Sequence, residues 1–348
     1  MHSTARRIVT LTLLSLAAAC GSDDSQPITM QPPPPPPPPS GRDGLWTVSG
    51  VPSGILQFAP ALLAVAGDHA PTMSLKTTSA QLFVSLGIAF DRTGSLWISS
   101  QEDAKLIRLS PERLGQTTSS AASVVISATQ GSLDHPAGIA FDASHHLWVA
   151  NRSSGTLVRF DEGQLEASGS PAPSITIAGA GRPTGLAFDA AGGLWVSDNQ
   201  GNTLKKYSAA QLRTSGSPAP EVVLNDAATR LVNPAGLAFD TYGNLWVANT
   251  GNQRVFRLTP TQLAPHAQPS TSIVLGTDDN SLVDPVGLAF DKNGSLWVMN
   301  VSGVLEQFAP AQLLKIATPT PTTTIRMPDF NLLLGLAFWP VPAGLPLR

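Results

Sequence analysis

One phrase recurs along this 348-residue chain, and no other feature of the sequence restricts the fold so tightly. GIAFDRTGSLWISS begins at 87, GIAFDASHHLWVAN at 138, GLAFDAAGGLWVSD at 185, GLAFDTYGNLWVAN at 236 and GLAFDKNGSLWVMN at 287. The Leu-Trp pairs place Trp46, Trp97, Trp148, Trp195, Trp246 and Trp297 at steps of 51, 51, 47, 51 and 51 residues. The Gly-Leu/Ile-Ala-Phe words begin at 87, 138, 185, 236, 287 and 335. A period near 50 in a strand-like pattern marks blades or a solenoid. It overrides the two domains that length alone would suggest.

Within a unit, GLAF and LWVAN are short apolar runs rich in aromatic and branched residues, bounded by Asp and Gly, and they read as strands joined by a tight turn. The turn carboxylate recurs as Asp91, Asp142, Asp189, Asp240 and Asp291, placed to accept the turn's own amides. Gly94, Gly192, Gly243 and Gly294 supply a left-handed residue; His145 stands in their place once, and histidine is among the few side chains that tolerate that conformation. Third strands follow at 156–160, 203–207, 254–258 and 304–308, then a turn that often starts with proline, then a fourth strand. The first two strands are apolar on both sides and the outer two only in part, as in blades stacked face to face around an axis. The chain opens on a Leu-Trp strand at Leu45 with no GLAF before it and closes on a GLAF at Gly335 with no Leu-Trp after it. Pairing the two ends makes an all-β, six-bladed propeller of four-stranded antiparallel blades, its ring closed by the last strand against the first. Trp339 stands where a turn Asp is then not needed.

The stretch PAGLAFDTYGNLWVANTGNQRVFRL resembles the NHL repeat, which runs Pro-x-Gly-hydrophobic-Ala-x-Asp, then Gly-Asn-hydrophobic-Tyr-Val-Ala-Asp, then an Asn-rich loop and Arg-Val. The resemblance spans all six copies. It is similar to the extracellular sensor propellers of bacterial receptor kinases and, more distantly, to virginiamycin B lyase and the gluconolactonase-type lactonases. It implies the fold and little chemistry, because propellers host many functions.

In such a meander the loop before the first strand and the loop after the second share one face, and the Asp turns lie on the other. The candidate ligand-binding mouth is therefore ringed by Asp134, His135, Arg182, Asn233 and Asp284 before the first strands, with Asn151, Asp198, Asn199, Asn249 and Asn300 after the second. Any one of these is also an ordinary loop residue bonding its own backbone; a ring of them is suited to a polar ligand. The lactonase likeness would require an inward Glu, and no Glu stands at a first-strand approach. The lyase carries acids where this chain mostly has Asn. Peptide-amidating lyases hold zinc with three histidines; here His135 alone is at the mouth, His145 and His146 are on the turn face, and His69 and His266 are in outer linkers. Lys205, Lys206, Arg254 and Arg257 are scattered on third strands as solvated edges, so nucleic acid is not an expected partner.

The amino terminus differs in kind. Arg6 and Arg7, the uncharged run 8–19 and Ala17 to Ala19 before Cys20 match a secretory signal too short to span a bilayer. Cys20 is the sole cysteine, and LSLAAAC resembles a bacterial lipoprotein signal, although Leu16 lies one place early; secretion after Ala19 is the alternative. Pro32 to Pro39 is then expected to form an extended spacer. The expectation is a signal peptide at 1–19, a lipidated proline-rich linker at 20–41 and a propeller at 42–348. The protein is expected to be a monomer of the cell envelope, anchored through Cys20. Its mouth would bind a small polar ligand or a partner protein without catalysis or cofactor. A hydrolase or lyase holding calcium or magnesium at that mouth is the alternative, and a purely structural surface platform is a third reading.

Overall fold

The structure, a computed structural model, describes residues 41–343 apart from 81, 83–86, 116–119, 130, 226–230, 266–272, 276–281 and 315–318. The signal peptide, Cys20, the proline run and His266 lie outside the described residues, which belong to one unit, Pro39–Arg348. Six sheets, each with four antiparallel strands, are numbered by their Leu-Trp strands: blade 1, Gly44–Val51; blade 2, Leu96–Ser100; blade 3, Leu147–Asn151; blade 4, Leu194–Asp198; blade 5, Leu245–Asn249; blade 6, Leu296–Asn300. Blade 3 is representative, with strands Pro136–Phe141, Leu147–Asn151, Thr156–Phe160 and Ile175–Ala178 in sequence order. In blade 1 the first strand is the last of the chain, Asn331–Trp339, paired from Gly44 opposite Trp339 to Val51 opposite Asn331.

The cores lie between blades. Each apolar cluster joins the inner strands of one blade to those of the next, as when Trp148, Ala150 and Leu157 of blade 3 meet Leu186, Phe188 and Val196 of blade 4. All six repeat tryptophans are buried. Four meet the phenylalanine of the following blade at ring-centroid distances of 6.1 to 6.4 Å, among them Trp297 with Phe338 across the closure. Each buried aromatic contributes about 2–3 kcal/mol by transfer from water, so the ring is held by its six interfaces rather than by one centre.

The turn carboxylate has a second task. Asp240 Oδ1 accepts the amides of Tyr242 and Asn244, both at 2.9 Å, and its Oδ2 accepts the indole of Trp246 at 3.0 Å. The same three bonds recur at Asp91, Asp142, Asp189 and Asp291 with Trp97, Trp148, Trp195 and Trp297. In blade 1, where Trp339 replaces the Asp, the Trp46 indole donates to the Arg42 carbonyl instead, at 2.9 Å.

The rim is also bridged. The linker before a fourth strand runs parallel to the outer strand of the preceding blade: Ser127 N donates to Gly169 O and Ala178 N to Gly216 O, at 2.9 and 2.8 Å. Ser168 and Ser215 hydroxyls accept the next free amides, those of Val125 and Thr176. In the same manner Gly67–Asp68 of blade 1 adds a fifth, parallel strand to blade 6 beside Thr323–Arg326, which the sequence pattern does not anticipate. These bridges cover edges that would otherwise offer unpaired amides.

Candidate functional site

The first strands converge on the axis at their glycines. A Cβ on Gly87, Gly138, Gly185 or Gly236 would overlap the backbone carbonyl of Ala137, Thr184, Ala235 or Val286 in the next blade. Only a hydrogen permits so close an approach. The resulting channel is narrow and is walled by these glycines together with Ile88, Ile139, Leu186, Leu237, Leu288 and Leu336. Two serines stitch it from behind: Ser99 donates to Ala137 O and Ser197 to Ala235 O, each at 2.6 Å across a blade boundary.

At one end the loops before the first strands and after the second strands bond to each other. Arg152 N donates to His135 O, Asn199 N to Arg182 O, Gly251 N to Val232 O and Val301 N to Asp284 O, at 2.9 to 3.2 Å. This end is the mouth, and the Asp turns occupy the other face. The ten candidate residues divide sharply by burial.

Asn151, Asp198, Asn249 and Asn300, the last residues of their strands, are at most 5% exposed. Asn151, Asp198 and Asn249 hold the mouth loops from beneath. Asn151 Oδ1 accepts Asp134 N at 3.1 Å while its amide donates to Ser132 O and Thr156 Oγ1; Asn249 Oδ1 accepts Val232 N at 2.7 Å and its amide donates to Asn252. Asp198 does the same with charge, its Oδ1 accepting Arg182 N and Gly201 N and its Oδ2 accepting Lys205 Nζ at 2.9 Å. Burial pushes the Asp198 carboxyl up, but the Arg182 and Gly201 amides and the Lys205 ammonium outweigh it and hold the pKa below the usual value. Asn300 donates to buried Glu306 at 3.1 Å.

The third-strand residue diagonally across, paired with the second-strand residue two places earlier, changes in step. Val158 goes with Asn151, Lys205 with Asp198, Phe256 with Asn249 and Glu306 with Asn300, each in the same register of its blade.

The remaining candidates face solvent. His135, Arg182, Asn233 and Asp284 are exposed, and Asp134 and Asn199 partly so. His135, Asn233 and Asp284 have φ of 50°, 49° and 52°, each directly before a proline. His, Asn and Asp are the side chains that accept this backbone, so part of their identity is conformational. Asp134 Oδ1 lies 3.0 Å from His135 Nδ1, and Asn199 donates to Pro234 O of the next blade at 3.4 Å. Two mouth side chains that sequence reasoning passed over, Gln101 and Arg152, directly follow the second strands of blades 2 and 3. Gln101 Nε2 and Arg152 Nε are buried without a hydrogen-bond partner. Among the described residues no three His, Cys, Asp or Glu side chains gather closely enough to hold a metal ion.

No protein-family model matches the chain, and no curated protein matches it. Solved structures do. A protein of unknown function from Bacteroides caccae superposes with a TM-score of 0.58 at 11% identity, covering 84% of this chain and 98% of that one. A chain of a nidogen–laminin complex superposes with a TM-score of 0.55 at 15% identity, covering 84% and 96%. Streptogramin B lyase reaches 0.47 at 13% identity over 69% of each chain. At these identities the first two share the propeller fold with this chain and nothing finer.

Proposed function

We propose that this protein is an NHL-like propeller, exported and anchored through Cys20, which binds a ligand or a partner protein at its polar mouth without catalysing a reaction there. The observation that carries this reading is the contrast between the two faces. On the turn face all five Asp carboxylates are consumed by backbone amides and indoles. On the mouth face buried Asn151, Asp198 and Asn249 hold loops in place, and above them His135, Arg182, Asn233 and Asp284 present polar groups to solvent around the axis. A rigid floor under exposed polar side chains is the arrangement a binding site requires. The nidogen–laminin complex supports the platform reading, since there a chain of this fold stands in an assembly with another protein.

The test is a ligand screen by thermal shift on the full chain, followed by variants that obstruct one face at a time. Ser153→Trp and Ser302→Trp place bulk in the exposed mouth loops of blades 3 and 6, while Tyr242→Ala and Lys292→Ala alter the turn face. Ligands that raise the melting temperature are expected to lose their effect in the first pair and keep it in the second. The reverse pattern overturns the reading. Turnover of such a ligand that stops on chelation and returns with calcium or magnesium would establish the catalytic alternative.

A further inference from the structure

The mouth is not chemically uniform around its ring. At the position after the second strand, Asn199 of blade 4 and Thr250 of blade 5 each donate to the carbonyl of the next blade's leading proline, Pro234 and Pro285, at 3.4 and 2.7 Å. Blades 2 and 3 carry Gln101 and Arg152 at that position, and neither side chain makes such a bond. Gln101 is 5% exposed and its Nε2 is left without an acceptor. Arg152 is partly buried, its Nε is likewise unpartnered, and among the described residues no carboxylate pairs with it. In blades 4 and 5 this position reaches the leading proline of the next blade, and for Arg152 that proline is Pro183, directly after Arg182; burial first and the Arg182 charge second hold the Arg152 pKa below the usual arginine value.

The acids of blades 3 and 4 in this sector are already engaged, while Glu102 and Asp103 follow Gln101 in the loop of blade 2. Asp134 lies against His135, and Asp198 is bound by Lys205 and two backbone amides. A buried donor without an acceptor and a guanidinium placed beside a second guanidinium both cost stability. An anion seated between them would relieve both costs, and arginine pairs suit the two-oxygen geometry of carboxylate and phosphate.

We propose that the mouth sector formed by blades 2, 3 and 4 is an anion site, in which Arg152 and Arg182 bind a carboxylate or phosphate group of a small ligand and the Gln101 amide donates to it. This rests on the binding-platform reading above and gives it a ligand class.

The experiment titrates the full chain with inorganic phosphate and, separately, with citrate, against chloride at matched ionic strength, by calorimetry and thermal shift. Phosphate, citrate or both should bind and raise the melting temperature where chloride does not; the pattern says whether the natural ligand is phosphorylated or carboxylic. Arg152→Gln and Arg182→Gln should each weaken binding by roughly tenfold or more, the scale of one charge-assisted hydrogen bond. Arg182→Glu should abolish binding and raise the melting temperature of the ligand-free protein, because the new carboxylate takes the anion's place; this keeps the test decisive should Arg152→Gln fold poorly. Equal stabilisation by chloride, or undiminished binding in Arg182→Glu, overturns the proposal. If anions fail while ligands from the screen still lose their effect in Ser153→Trp, this proposal falls and the mouth reading stands; if those ligands are insensitive to mouth bulk as well, both fall.

Discussion

Asp198 and Lys205 show how a single departure from the repeat carries a second one with it. In blades 3 and 5 the same two positions are Asn151 with Val158 and Asn249 with Phe256, so a neutral amide suffices to hold the mouth loop when no cation lies beneath it. Asp198→Asn would leave the Lys205 ammonium, 15% exposed, without its carboxylate. A loss of about 3 kcal/mol is expected in urea denaturation. Adding Lys205→Val, the blade 3 pairing, should recover most of it. The pH dependence follows from the sign of the shift. The folded-state pKa of Asp198 is depressed, so its contribution is complete above the ordinary carboxylate value of 3.8, falls as pH drops below that value, and is gone once pH is below the folded pKa. Asp198→Asn should therefore flatten the acid limb of stability while lowering the plateau. His145 is the opposite case. It holds φ of 64° where other blades have glycine, and its Nδ1 is buried without a partner. His145→Gly is expected to raise stability by about 1 kcal/mol in the same assay. The strained histidine and the turn carboxylates were legible in the sequence because their chemistry is local to the turn. The buried role of Asn151 and Asn249 was not, because an Asn at a strand end reads as a loop residue until the neighbouring loop is seen to fold over it.

At the scale of elements, the first strands are specified twice, once by apolar residues and once by their glycines. The apolar pattern was sufficient to place every Leu-Trp strand and its turn. The glycines read as part of a word; that Gly185 exists to let the Ala235 carbonyl of the next blade approach depends on ring geometry that one repeat does not contain. Gly185→Ala forces a methyl onto that carbonyl, and neither backbone can yield without opening the channel. A cost of about 2 kcal/mol or more is expected from overpacking, with the loss of amide-exchange protection concentrated at the boundary between blades 4 and 5. Gly192→Ala provides the contrast, since it is a left-handed turn glycine with only the Ala209 methyl nearby; it should cost conformational energy without disturbing that boundary. The rim linkers read in the sequence as Pro-rich passages before the fourth strands and not as strands themselves. Their partners, Ile126 for Gly169 and Ile177 for Gly216, belong to the preceding blade, and parallel pairing at that distance leaves no local period to read.

For the whole molecule the decisive contact is the seam. A six-bladed ring has six interfaces only if its ends meet, and here they meet by pairing Asn331–Trp339 with Gly44–Val51, reinforced by Thr47 Oγ1 on Gly335 O at 2.8 Å and Ser49 Oγ on Asn331 O at 3.2 Å. Phe338 reaches blade 6 through Trp297, and Trp339 reaches blade 2 through Phe90 at 5.2 Å, so one strand serves both neighbours of blade 1. The parallel Gly67–Asp68 strand on blade 6 is a second latch in the same place. Removing the aromatic contacts with Phe338→Ala and Trp339→Ala should therefore weaken the seam before it weakens the rest. Hydrogen exchange should show early loss of protection at Trp46, Val48 and Leu296, while Val149 and Val196, two and three blades away, remain protected. An unpaired Leu-Trp strand is a long apolar edge, so the double variant should also self-associate in light scattering at concentrations where the parent does not. Exchange that quickened evenly around the ring would mean that the blades unfold as one cooperative body with no special weakness where the termini join. The seam would then be one interface among six equals rather than the point from which the ring opens.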